Sequence, residues 1–228
     1  MNILSTSSKT ALVTGASRGI GASIAAELEA AGFRVLKPTR DELDLADPQS
    51  VEAWVASNHA LEVDVLINNA GINILNALPD IAAADWHKMV QVNINSSFRL
   101  VQALAPGMVA RNWGRILNVS TIFSLVTKER RAAYSMTKAA LNALTRSAAV
   151  EFGAGNVLVN SLAPGYVNTA LTRQNNSPEA IAALAQAIPM RRLAEPVELA
   201  RVAAFLVSPL NTYLTGQVVV VDGGFTCQ

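Results

Sequence analysis

The sequence is poor in the residues that build cross-links and metal centres. Its one cysteine, Cys227, stands one position from the end. No disulfide can form within the chain, which fits a reducing compartment and a cytoplasmic location. The two histidines, His59 and His87, lie far apart in sequence. With a single cysteine they make a poor ligand set, so no metal is expected. An excess of charge of one sign is missing too. The chain has 18 Lys+Arg and 17 Asp+Glu, a formal net charge of +1, so neither nucleic acid nor a membrane surface is called for as a general partner. No run approaches the roughly 18 apolar residues of a membrane span. Residues 1–9, MNILSTSSK, are too short and polar for a signal peptide. Internal repeats, low-complexity tracts and linkers are absent as well.

What is present is apolar. Of the 228 residues 51% are hydrophobic, enough for a large core and against disorder. The length suits one α/β domain over 1–228 better than two. Short apolar runs at 9–13, 33–36, 63–68, 115–120, 157–162 and 217–221 read as strands. Helical spacing covers 20–31, with Gly32 as C-cap. It returns at 51–60, over a long stretch at 84–110 that includes Pro106, and at 132–152, 178–187 and 196–206. Strands alternating with helices predict a Rossmann-type, doubly wound parallel sheet with helices on both faces. The polar connection 168–178, with Asn175, Asn176 and Ser177, is the candidate lid.

Two segments carry chemistry. Residues 14–21, TGASRGIG, follow a strand and open a helix. Gly15, Gly19 and Gly21 let the backbone turn tightly and approach a pyrophosphate, and the helix N-terminus offers N–H donors and a positive dipole end. Taken alone, such a turn is also an ordinary strand-to-helix connection. Residues 134–138, YSMTK, put Tyr134 and Lys138 four apart, hence on one helix face. A free phenol titrates near pH 10, and a nearby ammonium is expected to lower that value. Tyr134 then gives a proton to a carbonyl oxygen as hydride arrives, or takes one in the reverse direction.

The variant spacing Gly-x-x-x-Gly-x-Gly is joined by Asn68-Asn69-Ala70-Gly71, by YSMTK, by Pro164-Gly165 and by GQVVVVDGG at 216–224. In this order the motifs resemble the short-chain dehydrogenase/reductase family, in particular its 3-oxoacyl-carrier-protein reductase-like members, over nearly the whole chain. The resemblance implies a catalytic set of Asn93, Thr121, Tyr134 and Lys138. Thr121 lies thirteen residues before Tyr134, where the family usually has a serine; Ser120 takes the role if the strand end is shifted by one. Lys138 also bonds the nicotinamide ribose in such proteins. Asn93 holds a water that links the lysine to solvent, while Asn95 is structural. The cofactor implied is NADP, or else NAD. It is contacted by Gly15, Ser17, Arg18, Gly19, Ile20 and Gly21, by Thr39, Arg40, Asp44 and Leu45, and by Asn69, Ala70 and Gly71. Tyr134, Lys138, Pro164, Gly165, Val167 and Thr169 complete the set.

The resemblance puts the adenosine 2′ position near the end of the second strand, where an acidic residue would accept from a ribose hydroxyl and repel a phosphate. This chain has Lys37-Pro38-Thr39-Arg40 there, and Arg18 in the Gly-rich turn. Both arginines can reach a 2′-phosphate, which favours NADP; the alternative is two solvated surface charges. Asp41 follows at once and opposes phosphate binding. Asp44-Leu45 resembles the adenine-contacting pair after the family's third strand, so the usual helix between the second and third strands is missing.

The resemblance places one wall of the substrate pocket at 122–133, IFSLVTKERRAA. Ile122, Phe123 and Leu125 supply apolar surface. Lys128, Glu129, Arg130 and Arg131 form either a solvated loop or subunit contact, or an attraction for an anionic substrate such as a phosphorylated sugar, a nucleotide-sugar or an acyl-carrier thioester. The implied activity is hydride transfer between nicotinamide and a carbonyl or secondary alcohol. A non-catalytic NADP-binding regulator is the rival, and the intact Tyr134, Lys138 and Asn93 argue against it. A sugar-nucleotide epimerase or dehydratase is another, and the short stretch after Gly224 counts against that. The alanines 139, 140, 143, 148 and 149 suit close helix packing. They imply a homotetramer by the family's pairing of such helices and of its C-terminal strand region, or else they pack on the chain's own sheet.

Overall fold

The computed structural model describes residues 9–228, so the signal-peptide reading of 1–9 lies outside the described residues apart from Lys9. Strands β1 (Thr10–Val13), β2 (Arg34–Leu36), β3 (Val65–Asn68), β4 (Gly114–Val119), β5 (Val157–Pro164) and β6 (Val218–Val221) form one sheet in the order β2-β1-β3-β4-β5-β6. Every pairing is parallel. Helices α1 (Gly19–Ala30), α2 (Pro48–Ser57), α3 (Ala83–Val90), α4 (Ser96–Ala110), α5 (Ala132–Phe152), α6 (Ala170–Asn175), α7 (Pro178–Ala187) and α8 (Pro196–Val207) join them. Among the described residues no helix is long and apolar enough to cross a membrane.

The two-residue period of the strands sorts their side chains onto two cores. In register, Leu12, Leu66, Ile116 and Val159 form a row on the face covered by Leu100, Val101, Met108 and Ala148 of α4 and α5. Ala11, Val13, Val65, Ile67, Leu117 and Leu162 face the other way, against Ile24 and Leu28 of α1 and Leu199 and Ala203 of α8. This is the doubly wound arrangement that the alternating apolar runs predict. The direction of winding reverses between β1 and β3, and the crevice at their C-terminal ends is where such sheets bind ligands.

Three elements differ from the sequence expectation. The helical stretch 84–110 is interrupted by a π-turn at Gln91–Asn95; such turns cluster at functional sites, and this one holds Asn93. The connection 168–178 contains α6, because Thr169 Oγ1 accepts from Thr172 N at 3.2 Å and caps it. The helix expected at 51–60 starts earlier, at Pro48, because the Asp47 carboxylate accepts from Gln49 N at 2.9 Å. Between Leu36 and Pro48 there is neither helix nor strand. Not only the helix but also the strand implied before Asp44-Leu45 is therefore missing, and β2 is the sheet edge.

A chain of buried polar side chains ties three strands to α5. Asn68 Nδ2 donates to Asn118 Oδ1 at 2.9 Å. Asn118 Nδ2 donates to Thr145 Oγ1 at 2.8 Å. Thr145 Oγ1 lies 2.8 Å from Ser161 Oγ and bonds Leu141 O in its own helix. Replacing Asn118 by alanine leaves Asn68 Nδ2 without its acceptor, at about 1–3 kcal/mol for that buried group, and removes one of the three bonds at Thr145. A lower urea midpoint for Asn118→Ala than for wild type, at unchanged slope, is the expected outcome.

Candidate functional site

The glycine turn is fixed from behind by the residues after β3. Thr14 Oγ1 accepts from Asn69 N and Ala70 N, both at 3.1 Å. Asn69 Nδ2 donates to Thr14 O at 2.9 Å and to Gly15 O at 3.1 Å. Gly15 has φ +65°, a left-handed conformation that side chains disfavour. A Cβ on Gly21 would lie 2.3 Å from both Asn69 Nδ2 and Gly15 O, so only glycine lets α1 start this close to β3. Arg18, at the N-cap, is extended and gives the first amides of α1 no side-chain acceptor. Those N–H groups and the helix dipole make a cradle for a pyrophosphate, and the residues fit a dinucleotide. Thr169, at the start of α6, faces the cradle across 3.6 Å from the Cβ position of Gly19. Ser17 is exposed and Ile20 packs at the edge of the core. Val167 is buried in a bridge to Ala194. Pro164 ends β5, and Gly165 N bonds Val221 O at 3.0 Å.

Arg18 and Arg40 are both exposed. Beside Asp41, Glu42 folds back onto Thr39. Its carboxylate accepts from Thr39 N at 2.7 Å and Thr39 Oγ1 at 3.0 Å, and these bonds hold its pKa below the usual range. The Thr-x-x-Glu spacing of a capping box was the available signal. Asp44 turns its carboxylate to Ala46 N, and Leu45 O accepts from Gln91 Nε2.

The four catalytic candidates converge at the end of β4. Lys138 is 3% exposed. Its Nζ donates to Val119 O at 2.7 Å, and burial pulls its pKa down to about 8. Above it lies Gly71, whose Cβ position is 3.1 Å from Lys138 Nζ and 3.3 Å from Asn93 Oδ1. Asn93 is fully buried. It accepts from Ile72 N at 2.8 Å and donates to Ile72 O at 2.9 Å and Thr137 Oγ1 at 3.0 Å. It therefore braces the segment after β3 against α5. Asn95 bonds Gln91 in its own turn.

Tyr134 lies one helical turn from Lys138, with Nζ 6.0 Å from the ring centroid. Desolvation of its hydroxyl raises its pKa; the charge of Arg131 and a side-chain interaction with Thr121 oppose the rise. The lowering expected from a nearby ammonium is outweighed: burial sets the direction of the shift, and the charge that opposes it is that of Arg131. Thr121 faces Tyr134, whereas Ser120 Oγ donates away from it, to Lys138 O at 3.2 Å.

Sequence reasoning missed part of the opposite wall. Tyr166 packs edge-on against Phe123 at 6.1 Å and against Phe225 at 5.4 Å between centroids. Tyr166 directly follows Pro164-Gly165, a signal within reach. Phe225 had none: β6 brings it in, and Asp222 holds its turn by accepting from Gly224 N and Thr226 N. Over these rings lie Arg131, with Cζ 5.0 Å from the Phe123 centroid, and Lys128, with Nζ 6.0 Å from that of Tyr166. A cavity of ≈ 370 Å³ beside them is lined by Leu75, Lys128, Glu129, Arg130, Arg131 and Asn176. A larger one, ≈ 520 Å³ between α2 and α4, shares no residue with this site. Among the described residues no group of three His, Cys, Asp or Glu is placed to hold a metal.

Residues 37–226 match a family model described as enoyl-(acyl carrier protein) reductase. The oxidoreductase UcpA of Escherichia coli K12 is 38% identical over 248 residues, covering 96% of this chain and 94% of that protein. Among solved structures, a putative NAD(P)-dependent gluconate 5-dehydrogenase from Beutenbergia cavernae, with bound NADP at low occupancy, superposes with a TM-score of 0.94 at 34% identity. The match covers 99% of this chain and all of that one. A gluconate 5-dehydrogenase from Burkholderia cenocepacia J2315, in complex with NADP and tartrate, gives a TM-score of 0.92 at 30% identity over 100% and 98% of the two chains.

Proposed function

The chain belongs to the short-chain dehydrogenase/reductase family and is an NADP-dependent oxidoreductase, and on that premise we propose that Tyr134 is the proton donor to the carbonyl it reduces. The observation that carries this reading is the meeting of Tyr134, Thr121 and Lys138 at the mouth of the glycine cradle. The bound nicotinamide supplies the hydride. The residues of the chain do the rest. The cradle at Gly15–Gly21 and the start of α1 hold the phosphates. Lys138, with one N–H on Val119 O, keeps two donors for the ribose and the phenol. Thr121 directs its hydroxyl to the substrate oxygen. Tyr134 releases its proton to that oxygen as the carbon accepts hydride, and the product is a secondary alcohol. Burial keeps the phenol protonated at neutral pH, the form that reduction needs. Asn93 is a positioning residue that sets Gly71 over Lys138.

Arg18 and Arg40 hold the 2′-phosphate in this reading, after the Glu42 carboxylate gives way at Thr39. The substrate is anionic, drawn by Lys128, Arg130 and Arg131. The gluconate named for two structural neighbours is itself a carboxylate. One domain carries both sites, in the cytoplasm. Exposed apolar side chains on α4 and α5, with Phe98 51%, Met136 56% and Val150 87% exposed, support a helix-paired interface. Tyr213 at 93% and Leu210 at 46% support a second. Two perpendicular two-folds close a homotetramer.

Tyr134→Phe should abolish NADPH-linked carbonyl reduction while NADPH still binds. Thr121→Ala should cost about 10²–10³ in rate, and Ser120→Ala clearly less. Near wild-type turnover by Tyr134→Phe removes it from the mechanism, and a non-catalytic NADP-binding protein then becomes the better reading. Arg40→Ala should weaken NADP(H) by roughly tenfold or more and leave NAD(H) unchanged in a cofactor titration. Light scattering at micromolar concentration should give four times the chain's 24.1 kDa; a mass near that of one chain refutes the assembly.

A further inference from the structure

We propose that Arg131 is the residue that selects the substrate, by seating a carboxylate within a few bonds of the reacting carbonyl, so that the substrate is a small hydroxy or oxo acid. The inference deepens the anionic-substrate reading above and rests on it.

Lys128, Glu129 and Arg130 are exposed, whereas Arg131 is half-buried. It stands at the N-cap of α5, three residues before Tyr134. Its guanidinium lies over the Phe123 ring, 5.0 Å from the centroid, and Phe123 packs on Tyr166. Its charge acts on both hydroxyls, opposing the burial-driven rise at Tyr134 and at Tyr166. A guanidinium stacked on an aromatic face keeps its edge free for the bidentate bonds that a carboxylate makes.

Among the described residues no carboxylate lies within ion-pair distance of Lys128, Arg130 or Arg131. Glu129 lines the same cavity, leaving three cations against one anion. Arg130 is committed in part, donating to Leu75 O at 3.3 Å from a left-handed backbone. Lys128 lies farther out over Tyr166. Arg131 is thus the half-buried cation of this loop, and the other two set the positive field at the entrance.

Position discriminates among anions. A thioester on a carrier arm has its phosphate at the far end of a long chain, well away from its carbonyl. A guanidinium this close to Tyr134 meets instead a charge carried near the carbonyl itself.

The test is NADPH oxidation with oxo acids whose carboxylate lies one to five carbons from the carbonyl, each paired with its primary amide. Wild type should prefer acid over amide by at least tenfold at the shorter separations, and the preference should shrink with added salt. Arg131→Met should bring the ratio close to one, chiefly by raising KM for the acid, and Arg131→Lys should restore part of it. An acid-to-amide ratio of one in wild type overturns the inference whatever the variants do. So does an equal ratio in wild type and Arg131→Met, or a preference for long acyl thioesters. Turnover of uncharged carbonyls with no acid accepted overturns this inference and leaves the reductase reading standing; no turnover of any carbonyl overturns both.

Discussion

Asn118 bonds in two directions at once, to Asn68 on the neighbouring strand and to Thr145 on α5. The arrangement of the site depends on that pair of bonds. A helix lying on an apolar sheet face is free to slide, because hydrophobic contact has no direction. Buried hydrogen bonds do have direction, and leaving one unmade in a low-dielectric interior is costly. The polar chain from Asn68 through Asn118 and Thr145 to Ser161 therefore fixes α5 in rotation and along its axis. Lys138 lies two turns before Thr145 on the same buried face, and Asn68 leads straight into the segment that holds the glycine turn. Cradle and proton donor are thereby set from one network.

Burial acts on the two ionisable groups of α5 in opposite senses. The phenol holds its proton more tightly and the ammonium sheds its own more readily, since low dielectric disfavours the charged form of each. A phenol in such a place is a proton source at neutral pH and becomes a base only with positive charge beside it. Part of that charge comes from Arg131, a residue of the substrate wall. In the proposed reaction, the group that seats the substrate also biases the acid that acts on it.

Much of this was legible in the sequence because it is written locally. The alternating apolar strands, the glycine turn and the Tyr134–Lys138 spacing are all short-range patterns, and the structure places them as they read. What was not legible depends on distant partners. The π-turn that brings Asn93 to Ile72 and Thr137 looks like continuous helix in sequence, since residues 91–95, QVNIN, hold no glycine or proline to mark it. Phe225 enters the aromatic wall only because β6 lies beside β5. The effect of Arg131 on Tyr134 depends on how the loop before α5 folds back over the helix start, and no spacing rule predicts that. Glu42 folding onto Thr39 was readable from its capping-box spacing.

The missing helix and strand between Leu36 and Pro48 leave β2 as the outermost strand, with one row of backbone donors and acceptors that no strand among the described residues takes. Such a row is a template on which a second chain can add a strand and start a fibre. This edge is poorly suited to that. β2 is three residues long, too short to register a partner firmly. Arg34 and Lys37 flank it with charge, and the Lys37 ammonium is 2.6 Å from Glu29 of α1. Pro38 follows, with no N–H to offer. The shortened connection is compatible with a chain that stays unaggregated because the strand it uncovers is blunted at both ends.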